Sequence, residues 1–119
     1  MAMPSTSHTV REHFDKCLPA VTATYARILE AARKLGPFQQ EAKKTSIHLV
    51  RRSAFAGITT RRTALILTLK SHTDLTSKRI AKREQASANR WHLEVRLETP
   101  DEVDRELVTW LKNAYDLAS

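Results

Sequence analysis

The side chains best suited to metal ligation or proton transfer are five histidines, His8, His13, His48, His72 and His92. None stands in a His-x-His or His-Glu-x-x-His spacing, so a metal site would have to gather ligands from separate elements. His48 and His92 share the outward parity of two expected strands, and if those strands are neighbours the two rings face each other; the plainer reading is two partly exposed sheet residues. Glu41 and Lys43 put a carboxylate and an ammonium on one side of a strand, as half of a metal-dependent nuclease centre requires, but the preceding strand aspartate is missing and Asp15 belongs to a helix. No Gly-x-Ser-x-Gly elbow occurs, and two glycines leave no phosphate-cradling loop. Asp101, Glu102 and Asp104 are better explained as helix caps than as paired acids for glycoside chemistry. No catalytic residue, metal or cofactor is expected.

The basic residues remain. Lys44, His48, Arg52, Lys70, His92 and Arg96 share the outward parity of strands whose other side is apolar, and Arg51, Arg61 and Arg62 flank turns. These nine form the candidate binding set, for an anionic ligand, nucleic acid or an acidic protein. Trp91 and Phe55, the aromatic residues near enough to stack on bases, have inward parity. Outward Val50 and Ile66 suggest that another element or a second copy of the chain covers part of this face, which makes a homodimer a further expectation. Charged side chains on strands also serve against aggregation without binding anything.

The elements that position these residues are legible from periodicity. Thr9 with Glu12 three residues on makes a capping box for a short first helix. Pro19 suits the first turn of a second helix, whose stripe of Val21, Tyr25, Ile28, Leu29, Ala32 and Leu35 ends at Gly36-Pro37. From Phe38 the period becomes that of strands. Thr45, Ile47 and Leu49 alternate with Ser46, His48 and Val50; Phe55 to Thr60 has uneven parity, with Gly57 suggesting a bulge; Leu65, Leu67 and Leu69 alternate with Ile66, Thr68 and Lys70. Residues 72–89 read as a loop in which Ser77 caps a helical turn, or in which Arg79 to Glu84 forms a short edge strand. Trp91, Leu93, Val95 and Leu97 alternate cleanly. Thr99, Pro100 and Glu102 then open an amphipathic helix carrying Val103, Leu107, Trp110, Leu111, Ala114 and Leu117.

At 119 residues, 41% hydrophobic and 28% charged, the chain suits one globular domain over residues 9–119 behind a tail over residues 1–8. The +7 charge is concentrated: residues 38–98 carry thirteen Lys/Arg against five Asp/Glu, whereas residues 99–119 are net acidic. The lone Cys17 excludes an intramolecular disulfide and a cysteine metal cluster within one chain. No signal-like segment or apolar run of membrane-spanning length occurs, so the expected location is the cytoplasm, with no membrane partner.

In this order, T-V-R-E-H-F near the start, L-G-P at Leu35 to Pro37, K-T-S-I-H-L, R-R-S-A-F-A-G-I, R-W-H-L-E-V-R-L and the acidic-capped helix ending W-L-K-N-A-Y, the chain resembles the bacterial family catalogued as domain of unknown function 5655. The resemblance covers nearly the whole chain. It implies an α+β fold with N-terminal helices, an antiparallel sheet of about five strands and a C-terminal helix packed on it. It implies no reaction or cofactor, and suggests an accessory or binding module. The expected function is therefore a small non-enzymatic binding module with a basic sheet face, with nucleic-acid association through that face as the alternative and an enzyme with an unrecognised site as the third reading.

Overall fold

Thr9 Oγ1 accepts from the Glu12 amide at 3.2 Å, but the turn it starts is a 3-10 turn, Arg11–Phe14, rather than a short α-helix. The structure, a computed structural model, describes residues 9–118, so the expected tail, with its His8, lies outside the described residues. Pro19 opens helix α1, Pro19–Arg33, whose missing N–H would be unpaired there in any case. Its inward face buries Val21, Thr24, Tyr25, Ile28, Leu29 and Ala32. Gly36 turns the chain out of this region at φ 147°, a backbone that side-chain-bearing residues rarely adopt. A Cβ there would also collide with the Tyr115 hydroxyl, which donates to the Pro37 carbonyl at 2.9 Å.

Six antiparallel strands follow: β1 Gln39–Ala42, β2 Ile47–Val50, β3 Ala54–Thr60, β4 Leu65–Ser71, β5 Ile80–Ser87 and β6 Arg90–Leu97. Their order across the sheet is β1-β2-β3-β4-β6-β5. The sixth strand, beyond the five expected, is β1: Gln39-Gln40-Glu41-Ala42 has no apolar alternation, and it forms because β2 supplies a ladder on one side. Both alternatives for residues 72–89 are partly right. Ser77 caps a single turn, its Oγ accepting from the Arg79 amide at 3.2 Å, and β5 then runs as an exposed edge strand.

The bulge near Gly57 exists, but glycine is not its cause. The β2–β3 register shifts between Leu49 and Val50, which lets Phe55 and Ala56 both turn inward; Gly57 itself sits in regular register between His48 and Thr68. This explains the uneven parity of β3.

Ile47, Leu49, Ile58, Leu65, Leu67, Leu69, Val95 and Leu97 make the inward face of the sheet, buried against α1 and the last helix, α2, Arg105–Leu117. Each such side chain contributes about 1.5–3 kcal/mol by leaving water, so this layer dominates the stability. Phe55 joins the two layers, its ring edge-on to Phe38 and to Tyr115 at centroid distances of 5.9 and 5.1 Å.

The expected last helix is interrupted. The Thr99–Glu102 capping box is present, but it opens a 3-10 turn, Pro100–Glu102, and Asp104 caps α2 separately by accepting from the Leu107 amide at 3.1 Å. Arg79, just ahead of β5, explains where the break is held. Its guanidinium donates to Asp104 Oδ1 at 2.8 Å and Glu106 Oε1 at 3.2 Å, reaches the Glu102 carbonyl, and lies over the Trp110 ring at 5.8 Å. That arginine and the Leu107 amide hold the Asp104 carboxyl below its ordinary range. No helix among the described residues is long and apolar enough to cross a membrane.

Candidate functional site

With the helices on one side, the outward residues of the central strands form an open face. Register places Glu41, His48, Gly57, Thr68, Glu94 and Lys82 in one row across all six strands. Beside it, Lys70 stands opposite His92, and His92 opposite Glu84. Around Gly57 the face dips into a depression of about 320 Å³ with His48, Thr68, Lys70 and His92 among its walls and no carboxylate in its lining. Ser46 Oγ lies 3.3 Å from His48 Nε2, and Lys70 Nζ donates to Ser53 Oγ at 3.1 Å, so both walls are steadied by a neighbouring hydroxyl.

Gly57 is unusual because nothing in the fold demands it. Its φ is not positive, and a Cβ would come no closer than 3.8 Å to Thr68 and 3.9 Å to His48, an ordinary van der Waals distance. Mid-strand glycine costs roughly 0.5–1 kcal/mol relative to alanine through lost chain entropy, and in strands it often marks close approach of a ligand or another backbone.

The nine basic candidates do not gather on one face. His48, Lys70 and His92 line the depression. Arg96 points outward but forms an ion pair with Glu98 at 3.2 Å. Lys44, Arg61 and Arg62 lie in the turns at one end of β2 and β3, where they border a separate pocket. Arg51 and Arg52 lie in the turn at the opposite end. Arg51 bends away from the open face: its guanidinium sits 4.2 Å from the Tyr115 ring centre and donates to the Tyr115 carbonyl at 3.1 Å. Charge reversal at Arg51 would therefore test the fold as well as binding.

His48 and His92 do not face each other. Strands β3 and β4 separate them, and three strand spacings of roughly 4.8 Å keep the rings' strands about 14 Å apart. The condition for their facing, that their strands be neighbours, is not met, because β6 pairs with β4 rather than β2. Among the described residues no group of three His, Cys, Asp or Glu is placed to hold a metal ion. Glu41 and Lys43 form a surface ion pair at 3.2 Å. Val50 and Ile66 fall on opposite sides of the His48–Gly57–Thr68 row, so they make no continuous apolar strip. Trp91 is half-buried opposite Ser71 and Gln85, and Phe55 is fully buried, in keeping with their inward parity.

Periodicity missed Arg79 and Tyr115, which have no spacing signature because their partners are 25 and 64 residues away in sequence. It also misassigned Gly57, although an interior glycine in an alternating run was the right signal for the depression.

The sequence profile described as Domain of unknown function (DUF5655) matches residues 10–118. No curated protein and no solved structure matches the chain. From the 3-10 turn to the last turn of α2, the chain belongs to the DUF5655 family.

Proposed function

We propose that this protein is a small binding module whose open sheet face takes an organic anion with a flat body. The observation that carries this reading is Gly57. A glycine that neither backbone nor packing requires, in the middle of a central strand, keeps the floor of the depression free of side chains. A flat group lies against that floor between His48 and Thr68. Its negative end meets Lys70 and His92, which stand directly opposite each other. Glu84 and Glu94, one position further across the sheet, limit the ligand to a small one by repelling an extended polyanion.

The test is an NMR titration with a panel of aromatic and aliphatic carboxylates, benzoate among them. Amide shifts should centre on His48, Gly57, Thr68, Lys70 and His92. Gly57→Val should abolish them while leaving the fold intact, because a Cβ at this position comes no closer than 3.8 Å to its neighbours and valine suits a strand. A panel that moves none of these amides, or a Gly57→Val protein that binds equally well, would sink the reading.

A further inference from the structure

We infer that the end of the sheet bordered by the β1–β2 and β3–β4 turns carries a second site, for a phosphate group. A pocket of about 510 Å³ lies there, and Lys16, Lys44, Arg61 and Arg62 all border it. All four are exposed, and none of them forms a side-chain ion pair among the described residues. Two acids, Glu12 and Asp15, also border the pocket, which leaves four cations against two carboxylates, a net charge of +2. A positive balance of this kind suits an anion such as a phosphate group. Adjacent arginines suit phosphate because each guanidinium offers a planar fork of N–H donors that matches two phosphate oxygens, and lysine adds point charge.

The pocket is built by long-range hydrogen bonds rather than by chance proximity of mobile side chains. The His13 ring Nε2 donates to the Lys43 carbonyl at 2.8 Å, and Thr60 Oγ1 donates to the His13 carbonyl at 2.7 Å, so one residue of the 3-10 turn ties both strand turns together. The Leu18 amide donates to the Arg62 carbonyl at 2.8 Å, and the Arg61 amide to the Ala64 carbonyl at 2.7 Å. The backbone that carries Lys16, Lys44, Arg61 and Arg62 is thereby lashed into one frame. Ordering it is already done in the free protein, which lowers the entropic cost of binding. The site stands apart from the open-face reading, sharing with the depression only the wall residue Thr59.

Inorganic pyrophosphate and a short oligothymidylate serve as probes, each titrated separately into uniformly labelled protein and followed by amide shifts. Shifts at Lys16, Lys44, Arg61 and Arg62 are expected, with affinity falling about tenfold in R61A/R62A and only partly in R61K/R62K, since lysine keeps the charge but loses the fork. Binding of pyrophosphate alone would assign the pocket to small phosphorylated ligands; binding of the oligonucleotide alone would assign it to a phosphodiester chain, whose affinity should fall steeply with salt. If neither probe moves these amides at about 1 mM, or if R61A/R62A retains its spectrum and binds as tightly, the proposal is overturned. Shifts confined to His48, Gly57 and Lys70 would overturn it too, while supporting the open-face site.

Discussion

Strand β3 begins and ends at an Arg-Arg turn, Arg51-Arg52-Ser53 and Arg61-Arg62-Thr63, and the two turns have opposite fates. At the first, Arg51 stacks on Tyr115 and donates to its carbonyl, while the Arg52 amide donates to the Ala118 carbonyl at 3.1 Å. That turn caps the end of α2, where unpaired carbonyls and the negative end of the helix dipole favour cations. At the second, the backbone is engaged and the Arg61 guanidinium makes only a local bond to the Thr60 carbonyl at 3.4 Å, so both arginine side chains stay exposed beside Lys16 and Lys44. One dipeptide thus serves structure at one end of a strand and has no partner from a distant element for its side chains at the other, among the described residues. The difference lies in what the fold brings within reach.

The sharpest way to break the first turn is Tyr115→Ala. It removes the seat of Arg51, the edge contact on Phe55 and the hydrogen bond to Pro37, so a loss of about 3–5 kcal/mol is expected in urea denaturation. A loss under about 1 kcal/mol would mean that Tyr115 does not organise that end of the sheet. Arg79→Ala makes a second committed cation directly comparable. It breaks the bonds to Asp104, Glu106 and the Glu102 carbonyl, and with the Arg79 side chain only 24% exposed the expected cost is about 1–2 kcal/mol. Amide exchange should quicken first at the start of α2.

Arg51→Ala, at an exposed position, should cost about 1 kcal/mol. Arg61→Ala and Arg62→Ala should each stay within about 0.5 kcal/mol, and equal losses at both turns would erase the distinction between them. The smallest effect concerns acid. Because the Asp104 carboxyl is held below its ordinary value, its contribution is complete above that value and disappears as pH falls through the lowered one. Stability of the wild type should therefore drop more steeply below about pH 4 than that of Asp104→Asn, which can keep the cap but not the ion pair. Parallel acid-unfolding curves would remove Asp104 from this account.

Much of the fold was legible because its signals are local. Alternation in β2, β4 and β6, the proline at the start of α1 and the glycine near its end each act through neighbouring residues. β1 was legible as extended chain after Phe38 but not as a strand of its own, since a polar edge strand takes its pairing from the ladder beside it. The break before α2 was hidden for a related reason: the capping box at Thr99 is real, yet a second cap at Asp104 is held by Arg79, which stands just ahead of the edge strand β5 and 25 residues earlier in the chain. Of the candidate site, His48, Lys70 and His92 could be assigned to the outward side by parity. That they border one depression while Arg51 leaves the face altogether depended on strand order and helix docking.

By itself, the sequence determined the α+β class, most element types, the inward leucine face and the positive charge of the middle segment, because periodicity, caps and composition need no distant partner. Tertiary structure alone decided that β6 would pair with β4, keeping His48 and His92 apart, and that the side chain of one Arg-Arg turn would be engaged by α2 while those of the other stayed exposed. An ionic or cation–π contact depends on separations of a few ångströms, and here residues 64 positions apart in the chain set them.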